Sequence, residues 1–220
     1  MMGLGEGLVL ALLGGVLALD GTSVGQFMVS RPIVACVLAG WIAGDAVAGA
    51  MLGMVLEALH VAVLPVGAAR YPEAAPAAVA AAAVYVAGGG GEGLLLAVIL
   101  FALAWEWVGS WTVSRLRELN VRVAVPDGTP LEPSAVARRQ MAAIAVDFAR
   151  GVAVTAVGLV LLTYLAGVLP LAGFPRDWGR LAAGIAAAAA VASSIRLFGT
   201  QRLAWFAAGA GAGAVFLVAR

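Results

Sequence analysis

The sequence predicts an all-α integral membrane protein, a polytopic helical bundle whose N-terminal half is made of broken or re-entrant helices. Three observations predict it. Of 220 residues, 63% are hydrophobic and 11% charged, against roughly 45–50% and 25% in a soluble domain; mean hydropathy is +1.03. Uncharged stretches recur along the whole chain, which has room for about six to eight spans of about 20 residues each. Several stretches in the first half are nonetheless too short to cross. The expected organisation is one membrane domain over 1–220, with motif-bearing helices in 1–114, a polar loop and amphipathic segment in 115–150, and C-terminal helices in 151–220.

Charge excludes more than it suggests. The 13 basic residues are all arginine and stand against 12 acids, a formal net charge of +1. That balance gives no reason to expect nucleic acid as a partner. The first arginines are Arg31 and Arg70, and Glu6 stands where a signal peptide is positive, so no cleavable targeting segment is expected. The single cysteine, Cys36, has no disulfide partner within the chain and reads as a core thiol.

Taken in order, the uncharged stretches are 7–19, 32–44, 46–56, 58–69, 74–91, 93–105, 151–175, 181–195 and 203–219. A helix of about 13 residues reaches about 20 Å, two-thirds of the hydrocarbon. Half-spanning helices survive only where protein or a water-filled cavity surrounds the break, and transporters build substrate sites from such breaks. The plainer alternative is that Asp45, Glu57 and Glu92 merely mark short loops. Gly40 and Gly44, then Gly49 and Gly53, form GxxxG spacings on either side of Asp45, which favours close helix packing. The run GGGGEG at 88–93 lacks the lysine and hydroxyl residue of a phosphate loop and reads as a break between helices.

Between 114 and 149 the composition turns polar: Arg115, Arg117, Arg122, Arg138 and Arg139 alternate with Glu118, Asp127 and Glu132 around VPDGTP. Its arginine excess places this segment in the cytoplasm by the positive-inside rule. Residues 133–150 read as an amphipathic helix lying at the interface, with Trp105, Trp107 and Trp111 anchoring the preceding span at headgroup level. Alanine and glycine dominate 181–220, which reads as packing helices.

Chemistry is expected between Asp20 and Glu57, where Asp20, Thr22, Ser23, Gln26, Ser30, Arg31, Asp45 and Glu57 gather, with His60 one turn on. An Asp or Arg at a helix centre costs about 2.5–3.5 kcal/mol on insertion scales. A site for a hydroxylated solute is one reason to bear that cost, because carboxylates and amides pair with vicinal hydroxyls and an arginine neutralises the carboxylates of an empty site. Asp20 and Arg31 also fit a wet interfacial loop. Glu57 stands alone in MLGMVLEALHVAVLPVGA, and Pro65 and Gly67 mark a break beyond it, so Glu57 is expected to face a cavity. Glu57 and His60 have the Glu-x-x-His spacing of di-iron bundles, but those need two copies and further glutamates; no metal or other cofactor is expected. One histidine without a paired serine and acid gives no nucleophilic centre, so no catalytic residue is expected.

The stretch LDGTSVGQFMVSRPIVACVLAGWIAGD, followed by GAMLGMVLEALHVAVLPVGAARYPEAAPAAVAAA, resembles the membrane IIC subunit of mannose/fructose/sorbose-family phosphotransferase systems. The resemblance lies in the order of an aspartate, a glutamine, the SRP triplet, a glycine-aspartate helix end, a glutamate on the next helix and the PVGA break, over residues 19–83. It implies a sugar permease of the bacterial inner membrane, paired with a IID membrane subunit, trimeric, and served by cytoplasmic IIA and IIB phosphocarriers. Glu57 is then a substrate-contacting carboxylate, Gln26, Ser30 and Arg31 belong to the loop beside the site, Asp45 closes the second helix, and residues 65–68 point backbone groups into the cavity. RYPE at 70–73 stands where many relatives have Pro-Pro-Asp, and the second half carries no family motif. Two other readings stay open: a non-transporting scaffold or sensor of the same fold, and an unrelated small-solute channel.

Overall fold

The computed structural model describes residues 2–63, 70–124, 132–171, 177–200, 203–205, 207–209 and 211. These form seven helices: α1 (Leu4–Thr22), α2 (Pro32–Ile42), α3 (Ala46–Leu59), α4 (Ala74–Ala87), α5 (Glu92–Ala124), α6 (Pro133–Val168) and α7 (Trp178–Phe198). Residues within α1, α5, α6 and α7 are long and apolar enough to cross a membrane, whereas α2, α3 and α4 are shorter apolar helices. With 11, 14 and 14 residues, the short helices reach only about 16–21 Å at 1.5 Å per residue. The chain is a polytopic helical membrane protein with half-length helices in its first half.

At the centre is α4, in which every residue from Ala75 to Tyr85 is buried. A helix apolar on all sides is a buried helix, and alanine lets its neighbours α1, α2, α3, α5 and α6 come close. The α2–α3 hairpin folds back at Gly44, whose φ of +99° suits glycine. Along its seam a Cβ on Gly40 would stand 2.7 Å from the Asp45 carbonyl and 2.8 Å from the Gly49 Cα, and one on Gly53 would stand 3.0 Å from Ile33 and Cys36. The paired glycine spacing thus packs α2 on α3, except that Gly44 makes the turn. Gly89 and Gly90, both with positive φ, form the expected break between α4 and α5.

Three features differ from the sequence reading. The polar stretch after 114 is helical to Ala124 as the end of α5, and Pro133–Val168 is one continuous helix of 36 residues, so 133–150 is no separate interfacial helix. Arginine, glutamate and alanine are good helix formers, and the helices run on past the apolar stretch. The VPDGTP turn lies outside the described residues. Trp105 stacks on Phe101 with centroids 5.4 Å apart and donates from Nε1 to the Val154 carbonyl at 3.1 Å; it packs α5 on α6, and only Trp107 and Trp111 are half-exposed. Finally, α7 buries only Gly179 and Ala186. It leans on α3 and α5 by one edge, less of a packing helix than its composition suggests.

Candidate functional site

The inner ends of α1, α3 and α4 meet at one level of the bundle, and polar side chains meet there with them. Asp20, near the C-terminus of α1, is buried. Its carboxylate accepts from the Phe27 amide at 2.7 Å and the Ser30 amide at 2.9 Å, which folds loop 23–31 back under the bundle. Gly25, Gln26 and Met28 take positive φ in that loop; Gln26 is at its exposed crest, and Ser30 is brought inward. Arg31 follows at the N-terminus of α2, with its Nε donating to Glu57 Oε1 at 2.7 Å. Its two remaining nitrogens donate to the Val63 and His60 carbonyls, each at 3.2 Å. Glu57 Oε2 accepts from the Ile33 amide at 3.3 Å. The arginine thereby closes the frayed end of α3, whose last carbonyls have no partner in the helix.

A second layer lies behind this pair. His60 is buried, with Nδ1 2.7 Å from the Leu56 carbonyl and Nε2 2.6 Å from Glu106 Oε2 on α5. A carbonyl only accepts, so Nδ1 carries a proton, and the Nε2–Oε2 contact needs one more, on either the imidazole or the carboxyl. The Glu73 amide donates to the Glu106 carbonyl at 3.0 Å. The Glu73 carboxylate takes a two-pronged grip from Arg150 of α6 at 2.6 and 2.7 Å. Arg150 also donates to Thr112 Oγ1 at 2.9 Å and Asp147 Oδ1 at 2.9 Å. Asp147, with no exposed surface, accepts on Oδ2 from the hydroxyls of Thr22 and Ser23. Unpaired charges are costly in such surroundings; here each charged group has a partner. Glu106 is 14 residues into α5, about 21 Å from Glu92, which puts the layer inside a membrane about 30 Å thick.

Between the layers lies a cavity of about 70 Å³ lined by Ser30, Arg31, His60, Tyr71 and Glu73 together with apolar residues of α1 and α4. It has room for a few water molecules. Tyr71 donates to the Gly21 carbonyl at 2.7 Å and so pins one wall to α1.

Of the sequence candidates, Arg31 and Glu57 are brought together, Ser30 and Arg31 reach the cavity, and Asp20 shapes the loop that carries them. Gln26 is exposed on the loop and does not line the cavity. Asp45 caps α3, accepting from the Val47 and Ala48 amides at 2.9 Å. It lies 12 residues from Glu57, about 18 Å along the helix, so the short-loop reading fits Asp45. Pro65 and Gly67 lie outside the described residues. Sequence reasoning missed Glu73, Glu106, Asp147 and Arg150, and named His60 with the polar cluster and as half of a metal spacing, without its partner Glu106. Four charges in otherwise apolar or alanine-rich surroundings, Asp147 and Arg150 three residues apart, were the available signal. Among the described residues no group of histidine, cysteine or acidic side chains is arranged to hold a metal.

Known proteins give the arrangement its context. A solved structure described only as a membrane protein superposes with a TM-score of 0.72 over 100% of this chain and 91% of its own, at 20% identity. That likeness shows the fold. No curated protein matches the chain. Residues 4–109 match the family described as the sorbose-specific IIC component of the phosphotransferase system. The match covers Asp20, Arg31, Glu57, His60, Glu73 and Glu106, and over these residues, just under half of its length, the chain is similar to this family of IIC membrane components.

Proposed function

We propose that this chain is the sugar-translocating subunit of a phosphoenolpyruvate-dependent phosphotransferase system, moving a hexose or amino sugar across the bacterial inner membrane. The carrying observation is the small, mostly apolar cavity at membrane depth where half-length helices end, into which Ser30, Arg31, His60, Tyr71 and Glu73 bring polar groups, with Glu57 held on Arg31 beside it. Glu57 binds sugar hydroxyls; Arg31 neutralises it when the site is empty and turns to the sugar when the site fills. Ser30 adds a hydroxyl, and Asp20 positions the loop. The cavity admits a sugar only when loop 23–31 or the segment around Tyr71 moves outward. This chain supplies the pathway, and a IID-like membrane subunit completes a trimeric assembly. Phosphate arrives through cytoplasmic IIA and IIB proteins, so this chain is no enzyme in itself.

Uptake of a radiolabelled hexose and amino-sugar panel by cells coexpressing the chain with a IID-like subunit tests this. Glu57→Gln is expected to cut binding and uptake at least about tenfold, since it replaces a charged hydrogen bond with a neutral one, while assembly stays intact. A second reading, a non-transporting scaffold or sensor of the same fold, draws on the small cavity and on Glu57 being already paired. It predicts that well-assembled wild-type protein binds no sugar in the panel.

A further inference from the structure

We propose that the concavity next to Tyr71 is a binding site for the phosphate group of an anionic ester. Arg70, Trp111, Ser114, Arg115, Arg117 and Glu118 line it, and it encloses about 470 Å³. Three guanidinium groups face one carboxylate. Glu118 already holds Arg115 at 2.9 Å, with both side chains more than half exposed. Such a surface pair is worth little, so an incoming anion displaces it at small cost. Arg115 lies over the Trp111 ring at 5.6 Å and Arg117 over the Tyr71 ring at 5.9 Å. Stacking fixes the guanidinium plane, and a planar fork of N–H donors suits phosphate oxygens.

Position narrows the ligand to two sources. Arg115 is 23 residues beyond Glu92, about 35 Å along α5, which sets the concavity at the edge of the hydrocarbon where headgroups lie. Trp111, half-exposed and lining the concavity, is a residue type of that interface. A phospholipid headgroup is therefore one source. The other is a sugar phosphate in the cytoplasm, because Tyr71 also walls the cavity at Arg31 and the two sites stand back to back. Only this second source rests on the transport reading.

Native mass spectrometry of the full-length, delipidated protein in neutral detergent separates them. Phosphatidylglycerol, phosphatidylcholine and hexose 6-phosphate are titrated in turn. Selective binding of phosphatidylglycerol or of hexose 6-phosphate is expected, weakened about 30-fold by the double variant Arg70→Gln/Arg115→Gln, from about 1 kcal/mol per surface arginine. Glu118→Gln, which removes the one carboxylate, is expected to tighten it. Phosphatidylglycerol that hexose 6-phosphate does not displace assigns the lipid; binding of the hexose phosphate assigns the soluble ester. Equal retention of phosphatidylcholine and phosphatidylglycerol with no hexose phosphate bound overturns the proposal, as does a double variant that binds like wild type. Sugar uptake by Arg115→Gln with Glu57 intact is scored separately, so a failed anion site and a failed permease give different results.

Discussion

Asp147 has no exposed surface, yet it accepts from Thr22, Ser23 and Arg150. Asp147→Ala removes the acceptor that Thr22 and Ser23 share, leaving Thr22 Oγ1 on the Ala18 carbonyl, and leaves Arg150 with one carboxylate instead of two. Removing one member of a buried ionic set costs about 3–5 kcal/mol, so a clear fall in the thermal midpoint in detergent is expected. Asp147→Asn, which keeps an acceptor, should fall less. The sequence could not pair Asp147 with Thr22, because the two are 125 positions apart, and an Asp147–Arg150 pair at i,i+3 also fits the polar side of a surface helix. Arg31 and Glu57 were legible for the opposite reason: each stands alone beside long apolar runs, and one charge in lipid calls for another. Asp20 was found as a polar residue, but its work on the Phe27 and Ser30 amides depends on the φ of three loop residues that no spacing rule encodes.

At the scale of helices, small-residue spacing read well. Gly49 faces the Cys36 carbonyl so closely that no side chain fits without separating α2 from α3. Gly49→Val is expected to cost about 1–3 kcal/mol by overpacking, read as a lower thermal midpoint. Gly5→Ala is the control: it has nothing within 4 Å and should match wild type or exceed it, alanine being the better helix former. Helix ends read poorly. Hydropathy marks where a stretch leaves the hydrocarbon, whereas a helix stops where its hydrogen bonds or a glycine stop it, so α5 and α6 continue well past the point where the charges begin. The exposed flank of α7 was equally hidden, since alanine-rich composition is the same for a helix packed inside and one turned outward.

Across the whole molecule the polar layer and the arginine-rich ends of α5 and α6 are on the same side. Half-length helices α2, α3 and α4 hang between that layer and the opposite surface, where Asp45 and Glu92 sit. Glu73 ties the central helix to α6 through Arg150, and this bond reaches beyond the residues that match the family. During synthesis, α1 to α4 leave the ribosome first, carrying the Glu73 carboxylate before Arg150 is made. A chain halted after residue 131 therefore holds a buried carboxylate facing open lipid or water. Such a fragment is expected to be cleared rapidly in pulse-chase labelling and to be rescued when residues 132–220 are coexpressed. Biogenesis of the half that carries the family signature thus waits on α6, and the translocon has to tolerate an unfinished bundle until the last charged partner arrives.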